Sequence, residues 1–176
     1  MLLDLLRAVL FILPAYVANA TPVAFGTRGP AAAMDFGARL ADRQRIFGRS
    51  KTWLGFAVGI AAGTLTGVLL AYALNPPLSL YGTEIEQVNV ALLLSVGALV
   101  GDAAGSFLKR RLRMEQGKPF LGDQILFFAI ALAFAWPLRP AFLNLAAVIF
   151  LLVLTIALHV ATNILAYKLR MKRVPW

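Results

Sequence analysis

Two carboxylates and three basic residues lie close together in an otherwise apolar part of the sequence. Asp102 lies inside one apolar run and Asp123 begins the next. Between them the chain carries three consecutive bases, Lys109, Arg110 and Arg111. Mg²⁺ typically takes one or two protein carboxylates and completes its shell with water and substrate phosphates. The pattern therefore predicts a site for a divalent metal ion and a polyphosphate, with Asp102 and Asp123 as metal ligands.

The three bases alone have a simpler explanation, because Lys and Arg commonly mark the cytoplasmic boundary of a membrane helix. That explanation does not cover Asp102, which lies about two helical turns deeper in the same apolar run. An unpaired carboxylate at that depth would cost about 3 kcal/mol, so an ionisable group there is a candidate functional residue. We therefore favour the binding-site interpretation.

The composition is that of a membrane protein. Hydrophobic residues make up 60% of the chain and charged residues 14%, whereas a soluble domain has about 45–50% and about 25%. The net charge of +9 is distributed in short basic clusters between apolar runs, which indicates membrane topology and anionic partners rather than nucleic acid. The chain has no cysteine, so disulfides and thiolate ligands are excluded.

The apolar runs predict an all-α, polytopic membrane protein that forms a single domain of residues 1–176. A helix needs roughly 20 apolar residues to cross a hydrocarbon core of about 30 Å. Applied to this chain, that length predicts five transmembrane helices, at about 2–23, 53–74, 88–108, 124–138 and 141–169. The fourth is short for a membrane span.

The distribution of Lys and Arg predicts the orientation of the helices. Six of the 17 bases lie in the loop 25–52, five in the loop 109–122 and four in the C-terminal tail, which leaves Arg7 and Arg139 for the opposite side. The base-rich side of a membrane protein faces the cytoplasm. We therefore expect both loops and the C-terminus to be cytoplasmic and the N-terminus to be outside.

Four glycines in the second helix are spaced four residues apart, at Gly55, Gly59, Gly63 and Gly67. This spacing puts them on one face, where a second helix can approach closely. We favour this packing role. The alternative is a groove with room for a ligand at its cytoplasmic end, where Lys51 and Thr52 and the positive end of the helix dipole would favour a phosphate.

Polar residues in other segments are weaker candidates. His159 and Asn163 are four residues apart on one face of the fifth helix, and Asn19 lies near the inner end of the first. Spacing alone favours a packing role for the histidine. The first cytoplasmic loop is either solvated or a partly ordered flap, with Asp35 and Asp42 as additional carboxylates.

Six segments in order are similar to those of one known family. They are NATPVAFG at 19–26, GTRGP…DFG at 26–37, RIFGRSKTWLGF at 45–56, GDAAGSFLKRR at 101–111, GKPF…DQ at 117–124 and HVATNILAYKLRMKRVPW at 159–176. Together they resemble the archaeal CDP-archaeol synthases, which are related to phosphatidate cytidylyltransferases. Each motif alone is weak, but the six span almost the whole chain.

The resemblance implies transfer of a cytidylyl group from CTP to unsaturated archaeal phosphatidic acid (2,3-bis-O-geranylgeranylglycerol 1-phosphate). The products would be CDP-archaeol and pyrophosphate, with Mg²⁺ as cofactor and an active site on the cytoplasmic face of the cell membrane. Asp102 and Asp123 would bind the metal, and Lys109 would act in catalysis. The residues expected to contact phosphate or nucleotide are Lys51, Thr52, Ser106, Arg110, Arg111, Asn19, His159 and Asn163.

Two departures from the family and two other functions remain open. Relatives tend to carry a further carboxylate where this chain has Leu126 and a base where it has Leu54, so the number of metal ions is undetermined. A CTP-dependent polyprenol kinase is an alternative, although its hydroxyl acceptor would need a base. A small anion transporter is less favoured because the chain shows no repeat. Formation of a homodimer is compatible with the sequence.

Overall fold

The computed structural model describes residues 2–25, 32–74, 82–115, 118 and 120–168. Within these ranges the protein is all-helical, and its only strand-like features are two isolated bridges in the loop before the second helix. The helices are α1 (Leu2–Phe25), α2 (Trp53–Leu74), α3 (Glu84–Arg111), α4 (Leu121–Ala135) and α5 (Leu145–Lys168), with a 3₁₀ turn at Trp136–Leu138 after α4. Five helical segments are long and apolar enough to cross a membrane, the fourth because α4 continues through the 3₁₀ turn to Leu138. This confirms the predicted helix count.

α3 is longer at both ends than the predicted span of 88–108. It starts at Glu84 because Thr83 and Glu86 form a capping box, in which the Thr83 hydroxyl accepts from the Glu86 N–H and the Glu86 carboxylate accepts from the Thr83 N–H. At the other end, Lys109 to Arg111 form the last turn. Cations in that position are favoured by the helix dipole. The prediction that these bases belong to the loop 109–122 was wrong.

α4 and α5 also begin at positions that differ from those predicted. α4 starts at Leu121 instead of 124, so Asp123 lies in its first turn, where a carboxylate is favoured by the helix dipole. α5 starts at Leu145 instead of 141 because the Asn144 side chain accepts a hydrogen bond from the Ala147 N–H at 3.0 Å. The predicted end of that helix, residue 169, lies outside the described residues.

α3 lies at the centre of the bundle and packs against α1, α2 and α4, while α5 packs against α1 and α4. The apolar core combines residues of α1, α3, α4 and α5. Ile12, Leu94, Phe127 and Leu151 are fully buried there. α5 is joined to α1 by a hydrogen bond of 2.7 Å between the Tyr16 and Thr155 hydroxyl groups. Pairing of these hydroxyls is expected, because an unsatisfied polar group is costly within a membrane.

The glycine face of α2 is filled by neighbouring helices. A Cβ atom would lie 2.7 Å from the Ala18 carbonyl oxygen at Gly59, 2.2 Å from Ser95 Oγ at Gly63 and 2.0 Å from Ala91 Cβ at Gly67. Any side chain at these positions would push α1 or α3 away. The predicted packing role is confirmed for these three glycines.

A second glycine row, in α3, allows the backbone of α4 to approach equally closely. A Cβ atom at Gly101 would lie 2.6 Å from the Leu126 carbonyl oxygen and 2.7 Å from Phe127 Cα. At Gly105 it would lie 2.6 Å from Asp123 Oδ1 and 3.2 Å from Asp123 Cα. The row therefore brings Asp123 directly against the helix that carries Asp102.

We expect Gly101→Ala to destabilise the bundle, because its methyl group would meet backbone atoms of α4 that cannot rotate away. Overpacking of this kind costs about 1–3 kcal/mol. The midpoint of thermal aggregation in detergent should fall relative to the wild type. Leu69→Ala, at an exposed position of α2, is the control and should change the midpoint little. An unchanged midpoint for Gly101→Ala would contradict the close approach of α3 and α4.

Candidate active site

Two lysine–carboxylate ion pairs bring the ends of three helices together. Lys51, two residues before the start of α2, pairs with Asp102 in α3. Lys109 in the last turn of α3 pairs with Asp123 in the first turn of α4, with Nζ 2.6 Å from Oδ2. The Asp102 and Asp123 side chains are 28% and 25% exposed, so both can be reached from outside the bundle. Both predicted carboxylates are therefore paired with a predicted base where these helices meet.

Helical geometry explains why Asp102 and Lys109 belong to one cluster. At 3.6 residues per turn, the step of seven positions from Asp102 to Lys109 corresponds to about 700°, which is 20° short of two full turns. Ser106 lies on the same face, is buried, and makes no hydrogen bond through its hydroxyl within the described part of the chain. Asp123 packs on Gly105 of that face. One stretch of α3, about two turns long, therefore holds the candidate catalytic groups.

The donor set fits a hard divalent cation. Asp123 Oδ1 is buried and accepts no hydrogen bond from the described residues, and an acceptor of this kind is costly unless a cation or donor meets it. In the described ranges, no three acidic, histidine or cysteine side chains lie close enough together to hold a metal ion by themselves. Two carboxylates are nevertheless enough for Mg²⁺ when substrate phosphates and water complete its shell.

Thr52 immediately precedes α2, caps its first turn and fixes the position of Lys51. Its hydroxyl accepts a hydrogen bond of 3.0 Å from the Gly55 N–H, as an N-cap residue does. Because Thr52 is buried and Lys51 is the preceding residue, the lysine is held at the positive end of the α2 dipole. Thr52 thus has a structural role in addition to its predicted contact with nucleotide.

Arg111 is directed towards the preceding loop. Its guanidinium group donates to Asp42 Oδ1 at 3.0 Å and to the carbonyl oxygens of Arg45 and Gln44 at 2.7 and 3.3 Å. Arg110, its neighbour, makes no ion pair with any carboxylate in the described part of the chain. The two arginines predicted to contact the triphosphate therefore differ, since one is committed to protein contacts and the other is not.

Residues 32–52, in the loop between α1 and α2, form a hydrogen-bonded unit. The Asp35 carboxylate is buried and accepts hydrogen bonds from the Arg45 guanidinium and from the N–H groups of Gly37, Phe47 and Gly48. Burial alone would raise the pKa of Asp35, but the guanidinium and the three N–H groups hold that pKa well below its usual range. Of the two interpretations of this loop, these hydrogen bonds favour partial order over full solvation for residues 32–52.

His159 lies against α4 one turn deeper than Asp123. Its Nδ1 lies 3.2 Å from the Thr155 carbonyl oxygen, and its ring meets the Phe127 ring edge-on with centroids 5.9 Å apart. Asn163 lies one turn after His159 in α5, and Asp123 lies one turn before Phe127 in α4. Because α4 and α5 run in opposite directions, Asn163 and Asp123 lie at about the same depth in the bundle. His159 thus contacts α4 one turn away from Asp123.

Asn19, the remaining predicted site residue, is half-buried near the end of α1 and makes no side-chain hydrogen bond within the described ranges. The adjacent Ala18 carbonyl lies against Gly59 of α2. Asn19 follows Ala18 in α1, so its side chain points about 100° away from that contact. Its amide is therefore available to a ligand.

The sequence analysis missed two groups of residues that position the site. The row Gly97, Gly101 and Gly105 could have been found, because its four-residue spacing is the same signal that identified the glycines of α2. The pairing of Asp35 with Arg45 could not have been predicted from the sequence, because the two residues are ten positions apart in an irregular loop and no periodicity relates them.

Comparison with known proteins agrees with this architecture. A family model described as CarS-like, CDP-archaeol synthase matches residues 1–176. The CDP-archaeol synthase of Pyrococcus abyssi is 47% identical over 167 residues, which cover 94% of this chain and 95% of that protein. The CDP-archaeol synthase of Methanococcus aeolicus is 44% identical over 178 residues, covering 97% of this chain and 96% of that protein.

A solved structure has the same fold. It is described as an intramembrane enzyme for archaeal membrane lipid biosynthesis, and it covers 91% of this chain with a TM-score of 0.74 and 38% sequence identity. The match includes 94% of the solved chain. With a family model over its full length and relatives above 40% identity, the chain belongs to the CDP-archaeol synthase family.

Proposed function

We propose that the Lys51–Asp102 and Lys109–Asp123 pairs form the centre at which a cytidylyl group passes from CTP to 2,3-bis-O-geranylgeranylglycerol 1-phosphate. CTP-dependent formation of CDP-archaeol is the activity that family membership gives the chain. The observation that supports this location is the convergence of two carboxylates, each with its own lysine, from separate helices. Both carboxylates are partly exposed, so soluble nucleotide can reach them.

The reaction itself determines which groups are needed. A phosphate oxygen of the lipid attacks the α-phosphorus of CTP, and the bond from that phosphorus to the oxygen bridging to the β-phosphate breaks, so pyrophosphate leaves. The lipid phosphate is already ionised near neutral pH, and no general base is required. The obstacle is repulsion between two anions, which positioning and charge neutralisation overcome.

The cluster supplies both kinds of charge. Asp102 and Asp123 would hold Mg²⁺, which when bound supplies neutralisation of charge on the triphosphate and the leaving pyrophosphate. Lys51 and Lys109 then exchange their carboxylate partners for phosphate oxygens. The Ser106 hydroxyl lies on the same face of α3 and can donate a further hydrogen bond to phosphate.

Polar residues at the sides of the cluster would orient the nucleotide. Asn163 at the depth of Asp123, His159 one turn deeper and Asn19 in α1 offer donors and acceptors to the base or ribose. Arg110, which has no ion pair among the described residues, would contact the β- or γ-phosphate.

The site would face the cytoplasm. Because the helices alternate in direction, the ends of α1, α3 and α5 and the starts of α2 and α4 lie on one side, and the ion pairs that join α2, α3 and α4 lie there too. Among the described residues, all bases except Arg7 and Arg139 lie at or between these helix ends, which the positive-inside rule associates with the cytoplasmic side. This orientation puts the N-terminus outside and lets soluble CTP meet a lipid that stays in the bilayer.

The reaction products test this function directly. Purified protein in detergent is mixed with CTP labelled in the cytosine ring, the lipid phosphate and Mg²⁺. We expect labelled CDP-lipid and pyrophosphate, both dependent on the lipid. Release of CDP with transfer of the γ-phosphate would instead identify a kinase.

Asp102→Asn should reduce turnover on the order of 100-fold or more, because it removes a charge aimed at the reacting phosphates. The protein should stay folded, since the amide keeps the size of the side chain. Turnover is followed by pyrophosphate release, and folding by the elution profile in detergent. Glu84→Gln, in the exposed first turn of α3, is the matched control. Wild-type turnover in Asp102→Asn would remove Asp102 from the site.

Lys109→Ala should weaken CTP binding by about 10- to 100-fold, the usual effect of losing a hydrogen bond to a charged group. Binding of the lipid phosphate should change less, because the remaining cations of the site can still contact that phosphate. Titration calorimetry with each substrate separates the two. Lys118→Ala, which removes an exposed lysine paired with Glu115, serves as the control. A defect confined to the lipid would contradict the triphosphate role.

A further inference from the structure

The loop 32–52 is a folded unit whose two ends are joined. The Met34 N–H donates to the Lys51 carbonyl oxygen at 2.8 Å, and the Trp53 N–H donates to that of Ala32 at 3.2 Å. Between them the chain makes a hairpin, in which the Leu40 N–H donates to the Gln44 carbonyl at 3.0 Å. Lys51 is therefore fixed relative to the hairpin.

Asp35 holds this unit together from inside. Its carboxylate accepts from Arg45 and from the N–H groups of Gly37 at 3.0 Å, Gly48 at 3.1 Å and Phe47 at 3.2 Å. Gly37 and Gly48 have φ angles of 84° and 110°, which only glycine adopts without strain. A buried carboxylate with this many donors makes the loop stiff.

Arg111 fastens the hairpin to α3. Besides its three hydrogen bonds to Asp42, Gln44 and Arg45, its guanidinium lies over the Phe107 ring, 5.2 Å from the centroid. Two ion pairs join the loop to α3 in the described part of the chain, one at this end and one between Lys51 and Asp102.

The direction of Arg111 on α3 is opposite to that of the catalytic face. Nine residues separate it from Asp102, which corresponds to about 900°, or two and a half turns. Lys109 lies within about 20° of Asp102 by the same measure. A side chain half a turn away, and already bonded to three loop residues, is poorly placed to reach the same nucleotide.

We propose that Arg111 is a positioning residue that anchors the loop 32–52 to α3 and so keeps Lys51 at the active site, without contacting the triphosphate. The proposal rests on the proposed role of Lys51 in binding nucleotide. When Lys51 exchanges Asp102 for a phosphate, the loop gives up one of its two ionic links to α3. The Arg111–Asp42 pair then holds the loop in place during binding.

A double-mutant cycle tests whether Arg111 acts through the loop. Asp42→Asn, Arg111→Gln and the double variant are compared by kcat and by KM for CTP and for the lipid phosphate. We expect Arg111→Gln to raise the KM for CTP about tenfold and Asp42→Asn to raise it several-fold. The double variant should be no worse than Arg111→Gln, because both changes break the same contact. The KM for the lipid should be unchanged.

Two kinetic outcomes would overturn the proposal. Effects that multiply in the double variant would mean that Arg111 and Asp42 act independently. An unchanged KM for CTP in Asp42→Asn, beside a raised KM in Arg111→Gln, would mean that Arg111 binds the nucleotide directly. Arg39→Gln is the control, since it removes a charge from the same loop and, within the described ranges, its side chain bonds only to the Arg43 carbonyl.

Limited proteolysis gives a readout that does not depend on the reaction. Trypsin should cleave after the exposed Arg49 several-fold faster in Arg111→Gln and Asp42→Asn than in the wild type or Arg39→Gln, while the thermal midpoint of the bundle stays the same. Unchanged cleavage would overturn the proposal. Lys51→Met separates it from the proposed function: if that variant keeps the wild-type KM for CTP while the cleavage result holds, Lys51 has no role in binding although the anchor exists.

Discussion

Two carboxylates are tolerated at one end of a membrane helix bundle because each has a lysine ammonium group within hydrogen-bonding distance. Removing either lysine would leave a partly buried charge without a partner, which is far more costly than the pair is stabilising. The same constraint explains the order of the chain, since the acids lie where α3 approaches its end and where α4 begins, and the lysines lie just before α2 and in the last turn of α3.

The ion pairs in turn depend on how closely the helices approach. Asp123 reaches the Lys109 ammonium because Gly105 leaves no side chain between α3 and the first turn of α4. Lys51 reaches Asp102 because the glycines of α2 let that helix pack tightly on α1 and α3. In lipid, where no hydrophobic force drives helices together, small residues at the contacts are what permit such packing. The ion pairs thus depend on the glycines as much as on the charged groups themselves.

Sequence alone was enough to predict the five helices, because the hydropathy of a membrane span is a local property. It also indicated that acids and bases gather at one end of the helices, since ionisable groups are rare in such a chain, but it predicted neither the Lys51–Asp102 nor the Lys109–Asp123 ion pair. Boundaries failed where side chains cap helices, as at Thr83 and Asn144. The prediction for Arg111 treated three adjacent bases as one group, although successive residues of a helix differ in direction by about 100°. Orientation in the membrane and the residue roles remain predictions.

The balance of charge in the proposed site has a consequence for how its ligands enter. The two lysines and two carboxylates together have no net charge. A divalent cation bound alone would therefore give the site an excess positive charge. A nucleotide bound alone would be repelled by the two carboxylates. Bound together, cation and triphosphate let each acid and each base find an opposite charge, and the electrostatic energy that either ligand would cost alone is largely cancelled. The proposed site would therefore favour the metal–nucleotide complex over its separate components. It also keeps Asp102 and Asp123 paired in the interval between turnovers, which a membrane protein with partly buried acids requires.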